Sequence, residues 1–198
     1  MASALNVIMD FLSISPEKQN FYRDNKELVL RWINEAQLRF VNKSEILCGV
    51  WNPTIDNTGS IDLPDNFLKA FKDRVMLGDY PLKELNYQDA IFQDYTGVEA
   101  YSVYNGHFYV WNAGSCSPTI PYLKKPTVIT DLLTEELEIP TEYHNNLLDY
   151  LDALWARKKE DFQSHLGLRT SFDNLALQAG VETRNRTNAV PIMQSSRF

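Results

Sequence analysis

The sequence has few cysteines and no long apolar run. Its two cysteines, Cys48 and Cys116, form no Cys-x-x-Cys motif in a chain of 198 residues. A secreted disulfide framework is therefore disfavoured, and both thiols are expected to be reduced. No segment approaches the roughly 20 apolar residues of a membrane-spanning helix. Residues 5–14 lack the basic flank and the long apolar run of a signal peptide. These absences predict a cytoplasmic product without a membrane segment.

Motifs of catalysis and metal binding are also missing. The sequence contains no Gly-x-Ser-x-Gly, Walker A or Gly-x-Gly-x-x-Gly pattern. Of the three histidines, His144 and His165 are predicted in one helix, about 31 Å apart at ~1.5 Å per residue, and His107 lies elsewhere. Residues 115–117, Ser-Cys-Ser, are interpreted as a polar turn because no base is placed near them. The acids between positions 131 and 142 lack the spacing of a calcium loop. The sequence therefore predicts no catalytic residue, no metal and no cofactor.

Positive charge is concentrated near the C-terminus. The formal net charge is −7, which disfavours non-specific duplex binding by an overall basic protein. From position 181 onward there are three arginines and one acid, Glu182, which gives +2 and leaves −9 for the rest of the chain. Alone, this terminal segment has too little apolar surface to offset its ordering entropy. An acidic body with a basic tail is more typical of interaction than of catalysis.

Apolar residues at helical spacing predict several helices. The clearest pattern begins at Leu28 and repeats every fourth residue through Trp32, Ala36 and Phe40. Gly167 is predicted to end or bend a later helix. The predicted helices span about residues 3–15, 24–41, 140–166 and 168–180.

A different pattern separates the second and third helices, over about residues 46–130. Asn105-Gly106 lies between two runs of aromatic and β-branched residues, which is the signal of a type I′ hairpin. The whole stretch is predicted to be an antiparallel β insertion. Its other elements are a hairpin at Gly78-Asp79, strands at residues 60–63, 119–122 and 127–130, and residues 87–95, which fit either a short helix or a loop.

The predicted Asn-Gly hairpin carries a cluster of aromatic residues. No basic residue lies between Glu99 and Lys124, so base stacking against a nucleic acid is disfavoured. Cross-strand packing is the simplest interpretation of the cluster. A contact face for another protein is the functional alternative, because Tyr and Trp are enriched in interfaces. The predicted interface residues are Tyr101, Tyr104, Phe108, Tyr109 and Trp111.

Six segments follow one another in an informative order. They are residues 28–40, 61–68, 74–82, 104–109, 125–130 and 138–151. In this order the chain resembles the head–tail adaptor proteins of tailed phages, also called head completion or head-to-tail connector proteins of the neck. The resemblance covers about residues 25–160. It is carried by a layout of helices around a β insertion, not by an active-site signature.

The resemblance implies an α+β, mainly α fold, in which a helical bundle holds a central antiparallel β insertion. An adaptor domain would span residues 1–180, and an extended docking tail would span residues 181–198. The implied function is structural and non-enzymatic: a dodecameric ring in the virion neck, assembled in the host cytoplasm, that connects the portal to the tail. Genomic DNA would pass through its channel without sequence-specific binding.

The partners implied by this resemblance are the portal protein and a tail tube, nozzle or further neck protein, with no membrane. Members of the family commonly bind the portal through a C-terminal extension. Arginines in such an extension can make bidentate contacts to carboxylates, and its apolar residues can act as anchors. The candidate portal-binding residues are Arg184, Arg186, Val190, Pro191, Ile192, Arg197 and Phe198.

Two other functions fit parts of the sequence. Another virion tail accessory or receptor-binding component would use the aromatic hairpin to bind sugar or protein, through residues such as Tyr104 and Trp111. A hydrolase would depend on His144 or Cys116, but no triad or metal geometry is indicated by the sequence. The adaptor is the leading hypothesis.

Overall fold

A computed structural model of the chain describes residues 4–13, 15–92, 98–131 and 135–188. The chain divides into two compact units. The helical unit contains Met1–Leu47 and Pro126–Phe198, and the β unit contains Cys48–Lys125. The fold is α+β, about half helical with several small sheets, and the β unit lies within the predicted insertion.

The helices and strands have the following bounds. The helical unit contains α1 Ala4–Ser13, α2 Pro16–Asp24, α3 Lys26–Ser44, a 3₁₀ turn at Thr141–Tyr143, α5 His144–Lys158 and α6 Phe162–Asn188. The β unit contains β1 Cys48–Trp51, β2 Ser60–Asp62, β3 Phe67–Ala70, β4 Met76–Leu77, β5 Tyr80–Pro81, β6 Lys83–Glu84, α4 Tyr87–Phe92, β7 Ala100–Tyr104, β8 His107–Trp111 and β9 Ile120–Lys124. None of the helices in the described ranges is long and apolar enough to cross a membrane.

In the N-terminal region α1 lies within the helix predicted over about residues 3–15, and α2 follows it where the sequence predicted no helix. α1 ends at Ser13, and α2 begins at Pro16, whose ring is tolerated at a first helical position because the N–H there has no helical partner. The hydroxyl of Ser15 accepts a hydrogen bond from the backbone N–H of Glu17 at 3.1 Å and caps α2. α3 confirms the helix predicted over about residues 24–41 and extends it to Ser44.

The core of the helical unit includes the contacts among α3, α5 and α6. The ring of Phe172 packs against Phe40 at 6.0 Å and against Tyr150 at 4.8 Å between ring centroids. The hydroxyl of Tyr150 donates to the carboxylate of Glu35 at 2.5 Å. Burial, and then the hydrogen bond and charge of Glu35, raise the pKa of Tyr150 to about 12. Tyr150 is therefore a neutral donor at physiological pH.

The boundary between α5 and α6 differs from the prediction, which placed it at Gly167. α5 ends at Lys158, Glu160 adopts a left-handed φ of 62°, and the carboxylate of Asp161 accepts from the N–H of Ser164 at 3.1 Å. This hydrogen bond satisfies a free N–H in the first turn of α6. The predicted helices over residues 140–166 and 168–180 are therefore wrong at this boundary, and Gly167 lies inside α6.

α6 also continues past the predicted helix end at Gly180. A Cβ built on Gly180 would overlap the backbone carbonyl of Ser44, so this glycine permits close approach of α6 to the end of α3. The helix runs on to Asn188. The extended tail predicted from position 181 is thus wrong for residues 181–188, which are helical, and residues 189–198 lie outside the described residues.

The β unit is built from small sheets. In the described part of the chain the strand orders are β1-β9-β3, β2-β8-β7-β6 and β4-β5. The pairs are antiparallel except for β6 and β7, which are parallel. The predicted antiparallel insertion is confirmed for most of the unit, and the predicted hairpin at Gly78-Asp79 joins β4 to β5.

Asn105 and Gly106 join β7 to β8, as their sequence predicts. Their φ angles are 47° and 80°, the positive values that a type I′ turn requires. The segment at 127–130, in contrast, does not form the predicted strand. Instead the side chain of Asn34 bonds both backbone groups of Ile129: its amide donates to the carbonyl at 2.9 Å, and its oxygen accepts from the N–H at 2.8 Å. The Asn34 side chain therefore makes the backbone hydrogen bonds at Ile129 that a neighbouring strand would otherwise provide.

Candidate protein interaction surfaces

The β7–β8 hairpin has a core face and an outer face. Successive side chains of a strand point to opposite faces. Tyr101 and Phe108 are fully buried, and their rings stack at 5.3 Å between centroids. Tyr104, 46% exposed, and the half-buried Tyr109 and Trp111 share the other face. Of the five predicted interface residues, Tyr101 and Phe108 are therefore core residues rather than contact residues.

The outer face includes an aromatic residue that sequence reasoning missed. The ring of Tyr87, at the start of α4, stacks on Tyr104 at 4.4 Å with an interplanar angle of 5°. It also packs against Tyr109 at 4.5 Å and Trp111 at 5.9 Å. The sequence left residues 87–95 open between helix and loop, so it gave no signal that placed Tyr87 beside the hairpin. We call Tyr87, Tyr104, Tyr109 and Trp111 the aromatic face.

Hydrogen bonds hold this aromatic face in place. The indole N–H of Trp111 donates to the hydroxyl of Ser102 at 3.0 Å, and that hydroxyl donates to the carbonyl of Leu85 at 2.8 Å. Burial, and then a hydrogen bond and charge from Tyr87, raise the pKa of Tyr109. The face is therefore uncharged and prearranged, which lowers the entropy lost on binding a partner.

An open groove of about 500 Å³ borders the aromatic face. Its aromatic wall is Tyr87 and Tyr104, and Asn86 and Gln88 add amide groups. At its edge the ammonium of Lys72 and the carboxylate of Glu84 form an ion pair at 2.9 Å. Aromatic rings beside amides and a neutral ion pair are suited to contacts with peptide or sugar surfaces rather than with a phosphate backbone.

The C-terminal candidates fall partly inside α6. Arg184 is exposed there, and its guanidinium lies 3.7 Å from the carboxylate of Glu45. Arg186 falls within the same helix. The remaining predicted portal-binding residues lie outside the described residues: Val190, Pro191, Ile192, Arg197 and Phe198.

The hydrolase hypothesis depended on His144 or Cys116, and the structure shows the surroundings of both. His144 and His165 lie in different helices, not in one as predicted, and both are buried. A ring nitrogen of His144 is 2.7 Å from the carbonyl of Ile139. Burial, and then the charge of Glu99, raise the pKa of the Cys116 thiol, which disfavours the thiolate that a nucleophile needs. Within the described ranges no group of three or more His, Cys, Asp or Glu could hold a metal.

The described surfaces thus include an aromatic face and an adjoining groove. Comparison with known families gives a particular assignment: the model of the family described as SU10 adaptor protein matches residues 2–193. The chain belongs to this family, one of phage head–tail adaptors, which confirms the resemblance found in the sequence. No curated protein matches the chain. Family membership indicates a phage adaptor role in the virion neck.

Proposed function

We propose that this chain is a structural head-to-tail adaptor whose copies form a dodecameric ring between the portal and the tail. The observation that carries the proposal is the family match over residues 2–193, nearly the whole chain. An adaptor contacts both neighbours, the portal on one side and a tail tube, nozzle or further neck protein on the other. It needs surfaces rather than a catalytic centre.

The charge of the chain fits a ring that continues the DNA channel. Residues 1–180 carry −9 of formal charge. A like-charged wall repels the phosphate backbone and does not retain a passing duplex. Genomic DNA therefore traverses the ring without sequence-specific binding.

The C-terminal residues are the proposed portal contact. The three arginines Arg184, Arg186 and Arg197 can form bidentate pairs with carboxylates. The apolar residues among positions 190–198 can anchor the segment on the portal surface.

Truncation tests the portal contact. Because α6 extends to Asn188, the cut belongs after that residue, so that the helix stays intact. We expect the shortened chain to keep its circular dichroism spectrum and its unfolding midpoint but to lose attachment to the portal of its own phage, as seen by negative-stain imaging. A full-length Arg23→Ala variant, changed at an exposed arginine of α2, is the matched control and should attach. Normal rings on portals from the truncated chain would contradict the role of residues 189–198, whereas Arg184 and Arg186 remain in both chains.

The aromatic face is the proposed contact with a second virion protein. Tyr104 is the most exposed ring of the aromatic face, and it stacks on the ring of Tyr87 at 4.4 Å between centroids. Tyr and Trp are enriched among residues that dominate binding energy. We expect Tyr104→Ala to weaken incorporation of the tail component into particles, whereas Tyr80→Ala, at a 73% exposed tyrosine of β5, should not. Equal incorporation by both variants would remove the aromatic face from the interface.

The groove beside the aromatic face supports a second candidate function, a tail accessory or receptor-binding component. Aromatic walls with neighbouring amides are also suited to sugars. A glycan array probed with the full chain tests this candidate directly. Glycan binding that is lost in Tyr104→Ala, with no portal attachment by the wild type, would favour it over the adaptor.

A further inference from the structure

The outer face of α6 carries no charged residue over most of its length. Every exposed position from Phe162 to Val181, a fully described stretch, is either apolar or uncharged and polar. These positions are Phe162, Gln163, Ser164, Leu166, Gly167, Thr170, Ser171, Asn174, Leu177, Gln178 and Val181.

The charged residues of the same stretch are not among its exposed positions. Arg169 and Asp173 are only half-exposed. The carboxylate of Asp173 accepts two hydrogen bonds from the guanidinium of Arg39, at 2.8 and 2.6 Å. Asp173 thus pairs with α3, and the exposed positions of this stretch are uncharged.

A helix of the same unit shows the ordinary arrangement. In α3, five of the seven exposed residues are charged. The charged residues are Lys26, Glu27, Arg31, Glu35 and Lys43, and the uncharged residues are Leu38 and Asn42. α3 therefore does not share the neutral face of α6.

Large apolar side chains stand out from the neutral face. Phe162 and Leu166 are both 62% exposed, and Leu177 and Val181 are about half exposed. The two pairs have a spacing of four residues, and together they extend about 28 Å along the helix at ~1.5 Å per residue. The two apolar pairs are separated by uncharged residues, and the core of an interface is likewise depleted of charge.

We propose that this face of α6, from Phe162 to Val181, is a contact between neighbouring copies of the chain. The proposal rests on the function proposed above, in which many copies stand side by side. Each copy carries −7, so two copies repel each other wherever their acidic surfaces meet. In a closed ring each contact joins two different surfaces, so the α6 face meets another surface of the neighbouring copy, and its lack of acids reduces the repulsion there. A strongly charged partner, in contrast, would be recognised by complementary charge, which this face lacks.

Site-specific photo-cross-linking in particles of the phage that encodes this chain tests the proposal. p-Benzoylphenylalanine replaces Leu166 or Leu177 in the full-length chain, and mass spectrometry identifies the cross-linked products. Leu38, 40% exposed on α3 among charged residues, is the matched control position. We expect products that join two copies of this chain from Leu166 and from Leu177, and none from Leu38. Should either variant fail to enter particles, Asn174 offers another position on the same face.

The possible outcomes separate the two proposals. If the wild-type chain is absent from purified particles, the adaptor proposal fails, and this inference fails with it. If the chain is present but the α6 positions cross-link only to a different protein, or to nothing, the adaptor stands and the contact between copies is wrong. Products between copies that are equally abundant from Leu38 would also overturn the assignment to α6.

Discussion

The helical unit and the β unit use different interactions to specify their structures. In the helical unit, polar pairs join helices far apart in sequence: Lys18 is buried and contacts Asp152 at 2.5 Å, and Arg39 pairs with Asp173. In the β unit, short strands carry aromatic stacks on both faces of one hairpin. In the helical unit, ion pairs between distant residues and close contact between helix backbones set the alignment of the helices. In the β unit, turn residues and aromatic side chains that alternate between the two faces specify the small sheet.

The largest effect is expected from the β unit core. Phe108→Ala removes a fully buried ring that stacks on Tyr101 and should reduce the free energy of unfolding by about 3–5 kcal/mol. Tyr104→Ala, on the outer face of the same hairpin, should cost about 1 kcal/mol through the lost stack on Tyr87. Urea unfolding measures both. Similar losses of unfolding free energy for the two variants would mean that the core face and the outer face of the hairpin do not differ in burial as described.

Two glycines of α6, in the helical unit, are expected to change stability in opposite directions when each is replaced by alanine. Gly180→Ala forces a methyl group against the backbone of Ser44 and should destabilise the chain by about 1–3 kcal/mol. Gly167→Ala meets no atom within 4 Å and should stabilise it by about 0.5–1 kcal/mol, because alanine favours the helix interior. Thermal unfolding of both variants checks the signs. Destabilisation by Gly167→Ala would contradict its open surroundings.

The ion pair between α3 and α6 gives a pH-dependent prediction. Burial alone would raise the pKa of Asp173, but the hydrogen bond and charge of Arg39, with Lys43 and Arg169, outweigh it and lower that pKa. At neutral pH, Asp173→Asn should cost about 1–2 kcal/mol of unfolding free energy. Asp24→Asn, in an exposed pair with Arg23, should cost less than about 1 kcal/mol.

The sign of the pH dependence follows from the lowered pKa of Asp173. The carboxylate contributes stability above its unfolded pKa of about 4, and this contribution disappears as the pH falls through the lower folded value. Urea unfolding from pH 7 to pH 3 should therefore show that the difference in unfolding free energy between the wild type and Asp173→Asn becomes smaller as the pH falls. A difference that is constant across this range would indicate that the charge of Asp173 contributes nothing.

A small effect is expected at the hairpin turn. Gly106 has a φ of 80°, and Gly106→Ala should cost about 1 kcal/mol because a side chain disfavours the left-handed region. Asn105→Gly, at the neighbouring position with a φ of 47°, should change stability less. Chemical denaturation distinguishes the two. If Gly106→Ala left the free energy of unfolding unchanged, the flanking aromatic strands would form the hairpin without a contribution from the turn.

Part of the candidate site was predictable and part was not. The Asn105-Gly106 turn and the aromatic run placed a hairpin correctly, because turn preference and strand alternation are local properties. Alternation also separates Tyr101 from Tyr104, but it does not say which of the two faces the core. That choice depends on what packs above and below the strands. For the same reason the sequence could not place Tyr87 beside Tyr104.

The sequence by itself determined the α+β class, the helix that begins near Lys26, the Asn-Gly hairpin and the family. Each of these depends on spacing, turn residues or segment order, which can be read along the chain. Only the tertiary structure decided that Gly180 lies inside a helix, that Tyr101 and Phe108 are core residues, and that the outer face of α6 is neutral. Each of these depends on which distant residue comes close: Ser44 at Gly180, the neighbouring sheet residues at the hairpin, and Arg39 at Asp173. Side-chain spacing along one segment carries no information about the partner it will meet.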